Sequence, residues 1–277
     1  MRIAITGSRG QLGRALLQAL QAETLLPLDL PECDITDPAR IVAALERFRP
    51  EVVIHAAAWT DVDGAEREPD GAFRANAWGT QNVALGCQRT GAAMVYISTN
   101  EVFDGRRSVP YREYDRPNPG GVYARSKWAG EEITRSLLRR WYIVRASWIY
   151  HHGGNNFIAK ILSAADRQGR LRVVTDEVAT PTYAPDLAAA IARLIRTEHF
   201  GIYHFPNAGS CSRYEYARRV LALAGRGEVP IEPITLAEWP RAAPPPPYTV
   251  LANTCGAALG ITLRPWEEAL AAYFADA

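Results

Sequence analysis

The chain has 277 residues and a mass of 30.5 kDa, enough for one large domain or two that share a core. Apolar residues make up 48% and charged residues 22%, which excludes wholesale disorder, and a formal net charge of +1 gives no reason to expect nucleic acid or an anionic membrane as partner. No apolar run approaches the roughly eighteen residues that a membrane-spanning helix needs, and no signal-peptide pattern opens the chain, so a soluble cytoplasmic protein is expected.

In chain order, the β-branched run Arg2 to Thr6 predicts a buried strand, followed by glycines and a helix from about Gln11 to Gln21. Leu25 to Asp29 predicts a second strand, Pro38 to Phe48 a helix, and Glu51 to Ala56 a third strand. Gly71 to Thr90 reads as one helix, Ala93 to Ser98 as a fourth strand, Tyr123 to Arg139 as a helix and Trp141 to Ala146 as a fifth strand. Strands alternating with helices at this spacing predict a parallel sheet covered on both faces, an α/β fold. After Trp148 the rhythm changes. Asn156 to Gln168, Asp186 to Arg196 and Tyr214 to Ala224 read as helices, with short strands at Leu171 to Val174 and Gly201 to Phe205. The run Pro244 to Pro247 must be loop or extended chain. The expected division is a first domain over 1–150, to which 184–206 returns, and a smaller cap made of 151–183 and 207–277.

The four cysteines, Cys33, Cys87, Cys211 and Cys255, contain no CxxC pair and read as reduced thiols. The adjacent His151 and His152 have no cysteine or carboxylate cluster beside them, so they read as a solvated loop and no metal site is expected.

Gly7, Gly10 and Gly13 stand between the first strand and the first helix. The first glycine allows a tight turn, the second lets a pyrophosphate approach the backbone, and the third lets helix and strand pack closely. That context predicts a dinucleotide site built by Gly7, Arg9, Gly10, Gln11, Leu12 and Gly13. Asp29, at the end of the second strand, is placed to bond ribose hydroxyls and favour NAD, whereas Arg9 offers a guanidinium to a 2′-phosphate; NADH and NADPH both remain open.

Tyr123 and Lys127 lie a turn apart on one helix face. A cation so placed is expected to lower the phenol pKa, which suits proton delivery to a carbonyl oxygen while hydride reaches the carbon. Thr99, at the C-terminal edge of the fourth strand, supplies a hydroxyl where open α/β sheets bind ligands.

With these motifs in hand, the chain resembles the dTDP-4-dehydrorhamnose reductase family of extended short-chain dehydrogenases/reductases over nearly its whole length. The resemblance rests on the stretches Thr6–Gly13, Asp34–Asp37, Ala56–Asp63, Asn76–Ala77, Ser98–Gly105, Tyr123–Lys127, Arg145–Tyr150, Asn155–Phe157 and Pro181–Tyr183. It implies a Rossmann-type doubly wound parallel sheet with a substrate-binding α/β cap, a nucleotide-sugar substrate, and NADPH or NADH as cofactor; a homodimer is left open. It implies Thr99, Tyr123 and Lys127 as the catalytic trio. Asp34, Ile35, Ala56, Ala57, Ala58 and Asn76 would join Tyr123 and Lys127 around the cofactor, and Thr99, Asn100, Glu101, Trp148 and Asn156 would meet the substrate. Two departures stand out. Asn100 and Glu101 replace the family's Asp-Tyr, and proline in the run Pro245 to Pro247 replaces an arginine suited to a diphosphate, leaving Arg241 or Lys160 as substitutes. The activity so implied is reduction of the 4-keto group of a nucleotide-activated 6-deoxy sugar. The alternatives are a sugar-nucleotide epimerase or dehydratase of the same fold, and a non-catalytic dinucleotide-binding regulatory subunit.

Overall fold

The computed structural model describes residues 1–276. Its centre is a six-stranded, wholly parallel sheet. Five strands are β1 (Arg2–Thr6), β2 (Thr24–Leu28), β3 (Val52–His55), β4 (Ala93–Thr99) and β5 (Trp141–Ala146); the sixth is Gly201–His204. From one edge the order is Gly201–His204, β5, β4, β3, β1, β2. The chain reverses direction across the sheet between β1 and β3, and the crevice beyond their carboxyl ends is where such sheets receive ligands.

The pleat sorts the side chains to two faces. Ile3 and Ile5 of β1 pack with Leu12 and Leu16 of the first helix, Gln11–Ala19, and with Leu187 and Ile191 of the helix Ala184–Leu194. Ala4, between them, packs on the other face with Ile41, Leu45, Val83 and Met94. Each such fully buried aliphatic chain stabilises the fold by ~1.5–3 kcal/mol. All seven residues of β4 are buried, which explains the unbroken apolar reading of that stretch. Pro27 is accommodated because β2 is an edge strand.

The helix expected over Gly71 to Thr90 begins earlier and is not uniform. Pro69–Phe73 and Gly79–Thr90 are α-helical, but Arg74–Trp78 is a wide π-turn between them. A short helix, Val62–Arg67, capped by the Asp61 carboxylate accepting from the Gly64 N–H at 3.0 Å, precedes it.

Beyond β5 the chain builds a second apolar cluster around Tyr150, Ile158, Leu171, Tyr216, Val220 and Trp266. Three two-stranded pairings frame it: Ile149–Tyr150 with Thr182–Tyr183, Leu171–Val174 with Ile231–Ile234, and Val178–Ala179 with Cys211–Ser212. The helices Phe157–Gln168, Arg213–Leu223 and Trp266–Ala275 pack on it. Between these segments the chain goes back to the main sheet, where Gly201–His204 pairs in parallel with β5.

Candidate active site

The glycines of the loop after β1 leave no room for side chains at their own positions. Gly7 holds φ +69°, a conformation that disfavours any L side chain, and a Cβ there would meet the Ala57 backbone N at 2.6 Å. At Gly13 a Cβ would lie 2.1 Å from the Gly7 carbonyl oxygen. The helix Gln11–Ala19 starts at Gly10 with no side-chain cap, so its first-turn N–H groups are available to an anion. A backbone cradle that any Cβ would fill, opening onto an uncapped helix N-terminus at the sheet's switch point, fits a dinucleotide pyrophosphate.

Asp29 follows β2 directly, and its carboxylate accepts from the Arg9 N–H at 2.7 Å. The Arg9 guanidinium is held by the Leu30 carbonyl and by Glu32 at 2.8 Å. Asp34 accepts from the Thr36 N–H at 2.8 Å, while the Ile35 carbonyl accepts from Asn82 at 2.9 Å and its side chain covers Gly79. Ala56 and Ala57 lie against Gly7, the Ala56 N–H bonding the Thr6 carbonyl at 3.1 Å. Ala58 continues that loop to Trp59. The structure thus brings the glycine loop, the loops after β2 and those after β3 to one sheet edge.

Beneath that edge lies His55, in a closed chain of hydrogen bonds. Its Nδ1 is 2.7 Å from the Thr6 hydroxyl and its Nε2 3.1 Å from Thr80, whose own hydroxyl donates to the Asn76 carbonyl. Burial, reinforced by the Lys127 charge, pushes the imidazole pKa down to about 3. Asn76 sits inside the π-turn, and its amide donates to the Ser126 hydroxyl at 2.9 Å and accepts from the Trp59 N–H at 2.8 Å. It therefore ties the loop after β3 to the helix Val122–Leu137, which carries Tyr123 and Lys127.

Thr99 closes β4, and its hydroxyl accepts from the Glu101 N–H at 3.2 Å in the tight 3₁₀ turn Asn100–Val102. Its hydroxyl donates to the Asn100 side-chain carbonyl at 3.3 Å, and Thr99 opposes the rise of the Tyr123 phenol pKa. The Lys127 ammonium donates to the Ile97 carbonyl at 2.7 Å and lies 4.2 Å from the Tyr96 ring centroid. Burial lowers its pKa to about 7 against the opposing charge of Glu131.

Here the structure departs from the sequence expectation. Tyr123 is pushed above its usual pKa by burial and by the Glu101 carboxylate, with Thr99 opposing, rather than being drawn down by Lys127. The physical reason is that the ammonium is buried against Ile97 and Tyr96. A phenol in this state keeps its proton through the neutral range.

The four remaining predicted substrate contacts divide. Asn100 is buried, and its amide donates to the Thr249 hydroxyl at 2.5 Å, pinning the proline run. Asn156 caps the helix Phe157–Gln168, accepting from the Ala159 N–H, while its amide donates to Gln11 and to the His151 carbonyl. Both side chains are thus committed to internal bonds. Glu101 lies in the turn after Thr99, and Trp148 comes two residues after β5. Trp148 holds φ +45°, a strained left-handed conformation for a tryptophan. The guanidinium of Arg213 lies 3.5 Å from its ring centroid.

Arg213 and Glu177 carry no sequence motif, and nothing but the fold reveals them: they pair at 2.9 Å across thirty-six positions of chain. Asp63 likewise pairs with Arg241 at 2.8 Å. Of the two substitutes for the missing arginine, Arg241 therefore faces the loop after β3, whereas Lys160 is exposed on its helix. The adjacent histidines are half-buried rather than solvated, His152 stacking on Tyr273 with ring centroids 4.0 Å apart. Among the described residues no group of three or more His, Cys, Asp or Glu side chains is arranged to hold a metal, and no helix is long and apolar enough to cross a membrane. A groove of about 950 Å³, lined by Phe73, Arg116, Arg125 and Trp128 among others, lies on the helix face opposite Tyr123 and Lys127.

A parallel Rossmann-type sheet whose switch point carries the glycine cradle, with Tyr123 and Lys127 approaching the end of β4, makes the protein an NAD(P)-dependent oxidoreductase of the extended short-chain dehydrogenase/reductase class. Within that class the chain belongs to the family described as the RmlD substrate binding domain, whose model matches residues 1–277. A dTDP-4-dehydrorhamnose reductase of Mycobacterium tuberculosis (strain ATCC 25618 / H37Rv) is 40% identical over 281 residues, covering 98% of this chain and 91% of the relative. The spore coat polysaccharide biosynthesis protein SpsK of Bacillus subtilis (strain 168) is 37% identical over 277 residues, covering 99% and 97%. The crystal structure of dTDP-4-dehydrorhamnose reductase (rfbD) from Bacillus anthracis str. Ames, in complex with NADP, superposes with a TM-score of 0.96 at 38% identity, covering 100% of this chain and 99% of that one.

Proposed function

We propose that the protein reduces the 4-keto group of a nucleotide-activated 6-deoxy sugar, converting dTDP-4-dehydro-L-rhamnose to dTDP-L-rhamnose with NADPH or NADH. The observation that carries this reading is the meeting of Thr99, Tyr123 and Lys127 at the carboxyl edge of β4 and β5, beside a backbone cradle for a pyrophosphate. Relatives named dTDP-4-dehydrorhamnose reductase, matched over nearly the whole chain, supply the substrate.

A reduced nicotinamide dinucleotide, when bound, would supply the hydride for the sugar carbonyl carbon. Tyr123 donates its proton to the carbonyl oxygen as the alkoxide forms. Thr99 holds that oxygen beside the phenol. Lys127, held by the Ile97 carbonyl, would reach the nicotinamide ribose hydroxyls, and Asn76 fixes the helix that carries both Tyr123 and Lys127. Gly7, Arg9, Gly10, Gln11, Leu12 and Gly13 hold the pyrophosphate and adenosine, with Asp29, Asp34, Ile35 and Ala56 to Ala58 along the adenosine side. Glu101 and Trp148 face the sugar nucleotide, whereas Asn100 and Asn156 shape the cleft through Thr249 and Gln11. Residues 1–150 with 184–206 bind the dinucleotide; 151–183 with 207–277 bind the substrate. The cytoplasm, where reduced nicotinamide and nucleotide sugars meet, is the expected location.

The test is absorbance at the reduced-nicotinamide band with dTDP-4-dehydrorhamnose, run with NADH and NADPH in parallel. Substrate-dependent oxidation is expected; binding of both cofactors without turnover would sink the reading.

A further inference from the structure

Trp148 stands in a conformation that its own backbone does not favour. A φ of +45° is costly for any residue with a Cβ and persists only where the surroundings hold it. Those surroundings are aromatic and cationic. The Arg213 guanidinium carbon lies 3.5 Å from the indole centroid and 5.0 Å from the Phe157 centroid. Tyr216 packs nearly parallel to both rings, at interplanar angles of 19° and 13°. The Trp148 carbonyl accepts from the Thr182 N–H at 3.3 Å.

Arg213 is itself immobilised. Its Nε and one terminal nitrogen donate to the same oxygen of the buried Glu177, each at 2.9 Å, and its backbone N–H donates to the Glu177 carbonyl at 3.1 Å. The next residue, Val178, bonds the Pro247 carbonyl at 2.8 Å and the Thr249 N–H at 2.9 Å, and the Thr249 hydroxyl accepts from Asn100, the neighbour of Thr99. On the other flank Thr99 pairs with Ala146, two residues before Trp148. The end of β4 is thus tied to Trp148 through β5, and to Arg213 through Thr249, Val178 and Glu177. With its charge answered by Glu177, the guanidinium is a flat wall against the indole.

We propose that Arg213 and Glu177 are positioning residues for substrate binding: their ion pair clamps the Trp148 indole in its left-handed conformation, so that the ring is already in place when the sugar nucleotide enters. The inference rests on the reading above, in which Trp148 faces that ligand. A ring fixed beforehand has less conformational freedom to lose on binding, and the difference appears as affinity. Arginine suits the task because its planar fork bonds Glu177 through two nitrogens while lying flat on a ring, which an ammonium cannot do. Both residues act through Trp148 and leave the reacting atoms alone. Loss of the clamp therefore weakens ground state and transition state equally, raising KM with kcat unchanged.

The experiment is calorimetric titration of the NADP⁺-saturated protein with dTDP-glucose, for Arg213→Met, for Glu177→Gln and for each combined with Trp148→Ala. With Trp148 present, Arg213→Met should weaken binding about tenfold and Glu177→Gln about threefold; with Trp148→Ala, neither should weaken it further. Unchanged affinity in both single variants overturns the proposal. So does an equal loss with and without Trp148, the mark of a side chain that meets the ligand itself or only holds the cap together. Near-UV circular dichroism of the ligand-free protein reads the clamp alone. The wild-type spectrum minus that of Trp148→Ala gives the Trp148 band, which should collapse in Arg213→Met; a band that survives overturns the proposal whatever the ligand does. A wild type that binds NADP⁺ but no dTDP-glucose defeats the nucleotide-sugar reading and the substrate role of the clamp together. One that binds dTDP-glucose through the clamp yet reduces no 4-keto sugar defeats only the reaction assigned above.

Discussion

Glu131 and Arg145 form an ion pair at 2.6 Å with each side chain only 1% exposed, one from the helix Val122–Leu137 and the other from β5. The Ser98 hydroxyl donates to the same carboxylate at 2.5 Å, one residue before Thr99. The pair therefore joins the helix carrying Tyr123 and Lys127 to the two strand ends that frame the reaction, and its negative charge supports the Lys127 ammonium. Replacing Glu131 by Gln leaves a buried guanidinium uncompensated, at a cost of ~3–5 kcal/mol. Differential scanning calorimetry should show Tm falling on the order of 10 °C. An unchanged Tm would mean that the pair holds nothing together.

Tyr123→Phe removes the proton donor and leaves the ring. Turnover should fall by ~10²–10⁴-fold, with NADPH affinity unchanged. Stopped-flow absorbance and fluorescence titration report the two separately; full turnover in this variant is incompatible with the assigned role.

Gly13→Ala places a methyl group 2.1 Å from the Gly7 carbonyl, with only backbone on the other side. The loop must open, and NADPH affinity should fall by about tenfold or more, ~1.4 kcal/mol. Gly120→Ala is the control, because no atom lies within 4 Å of a Cβ at that position. Equal affinities in the two variants would refute the cradle.

Arg9 and Glu32 pair at 2.8 Å beside Asp29, and the cofactor role proposed for Arg9 is open to test there. Glu32→Gln frees the guanidinium for a 2′-phosphate and removes a like charge from its path. The ratio of kcat/KM for NADPH over NADH should rise by about fivefold at most, since an exposed charge contact is screened by solvent. An unchanged ratio would show that Arg9 does not reach the 2′ position.

Acid should destabilise the protein earlier than its carboxylates alone require. His55 and His204 are each held neutral, with pKa values near 3, principally by burial. His204 sits between the Arg145 guanidinium at 3.3 Å and the Tyr111 and Ala252 carbonyls at 3.2 Å. In the unfolded chain both titrate near 6.5. The unfolded state therefore binds more protons between pH 6.5 and 3, and stability present above 6.5 is lost as pH falls through that window. The two together should lower stability by on the order of 4 kcal/mol between pH 7 and pH 5. Urea midpoints at the two pH values test this, and His55→Asn should shrink the difference by about half.

What the sequence makes legible here depends on the range of the interaction. β1, β3, β4 and β5 stand out because both their faces are buried and each carries a run of at least three apolar residues. Gly7 and Gly13 announce themselves because the constraint on each is local. Trp266–Ala275 has no glycine or capping side chain to mark its start, only Pro265 before it, and Ile231–Ile234 contains Pro233, so neither reads as an element. The commitment of Asn100 to Thr249, and of Asn156 to Gln11, joins residues about 145 to 149 positions apart. The group around Arg213 draws on Trp148, Phe157 and Glu177. No periodicity or motif encodes such meetings; they exist only once the cap has folded over the sheet.

The wide turn at Arg74–Trp78 adds one residue to a helix that would otherwise run from Pro69 to Thr90 in a single phase. Each residue of an α-helix advances about 100° around its axis. Deleting one residue there would swing everything before it by that angle relative to Thr80 and Val83, which are fixed against His55 and the sheet. Asn76 would lose its line to Trp59 and Ser126. The inserted residue works as a shim: its thickness, measured in degrees of rotation, sets how Asn76 meets the helix of Tyr123 and Lys127, and loss of one residue from Arg74–Trp78 would be felt at the phenol.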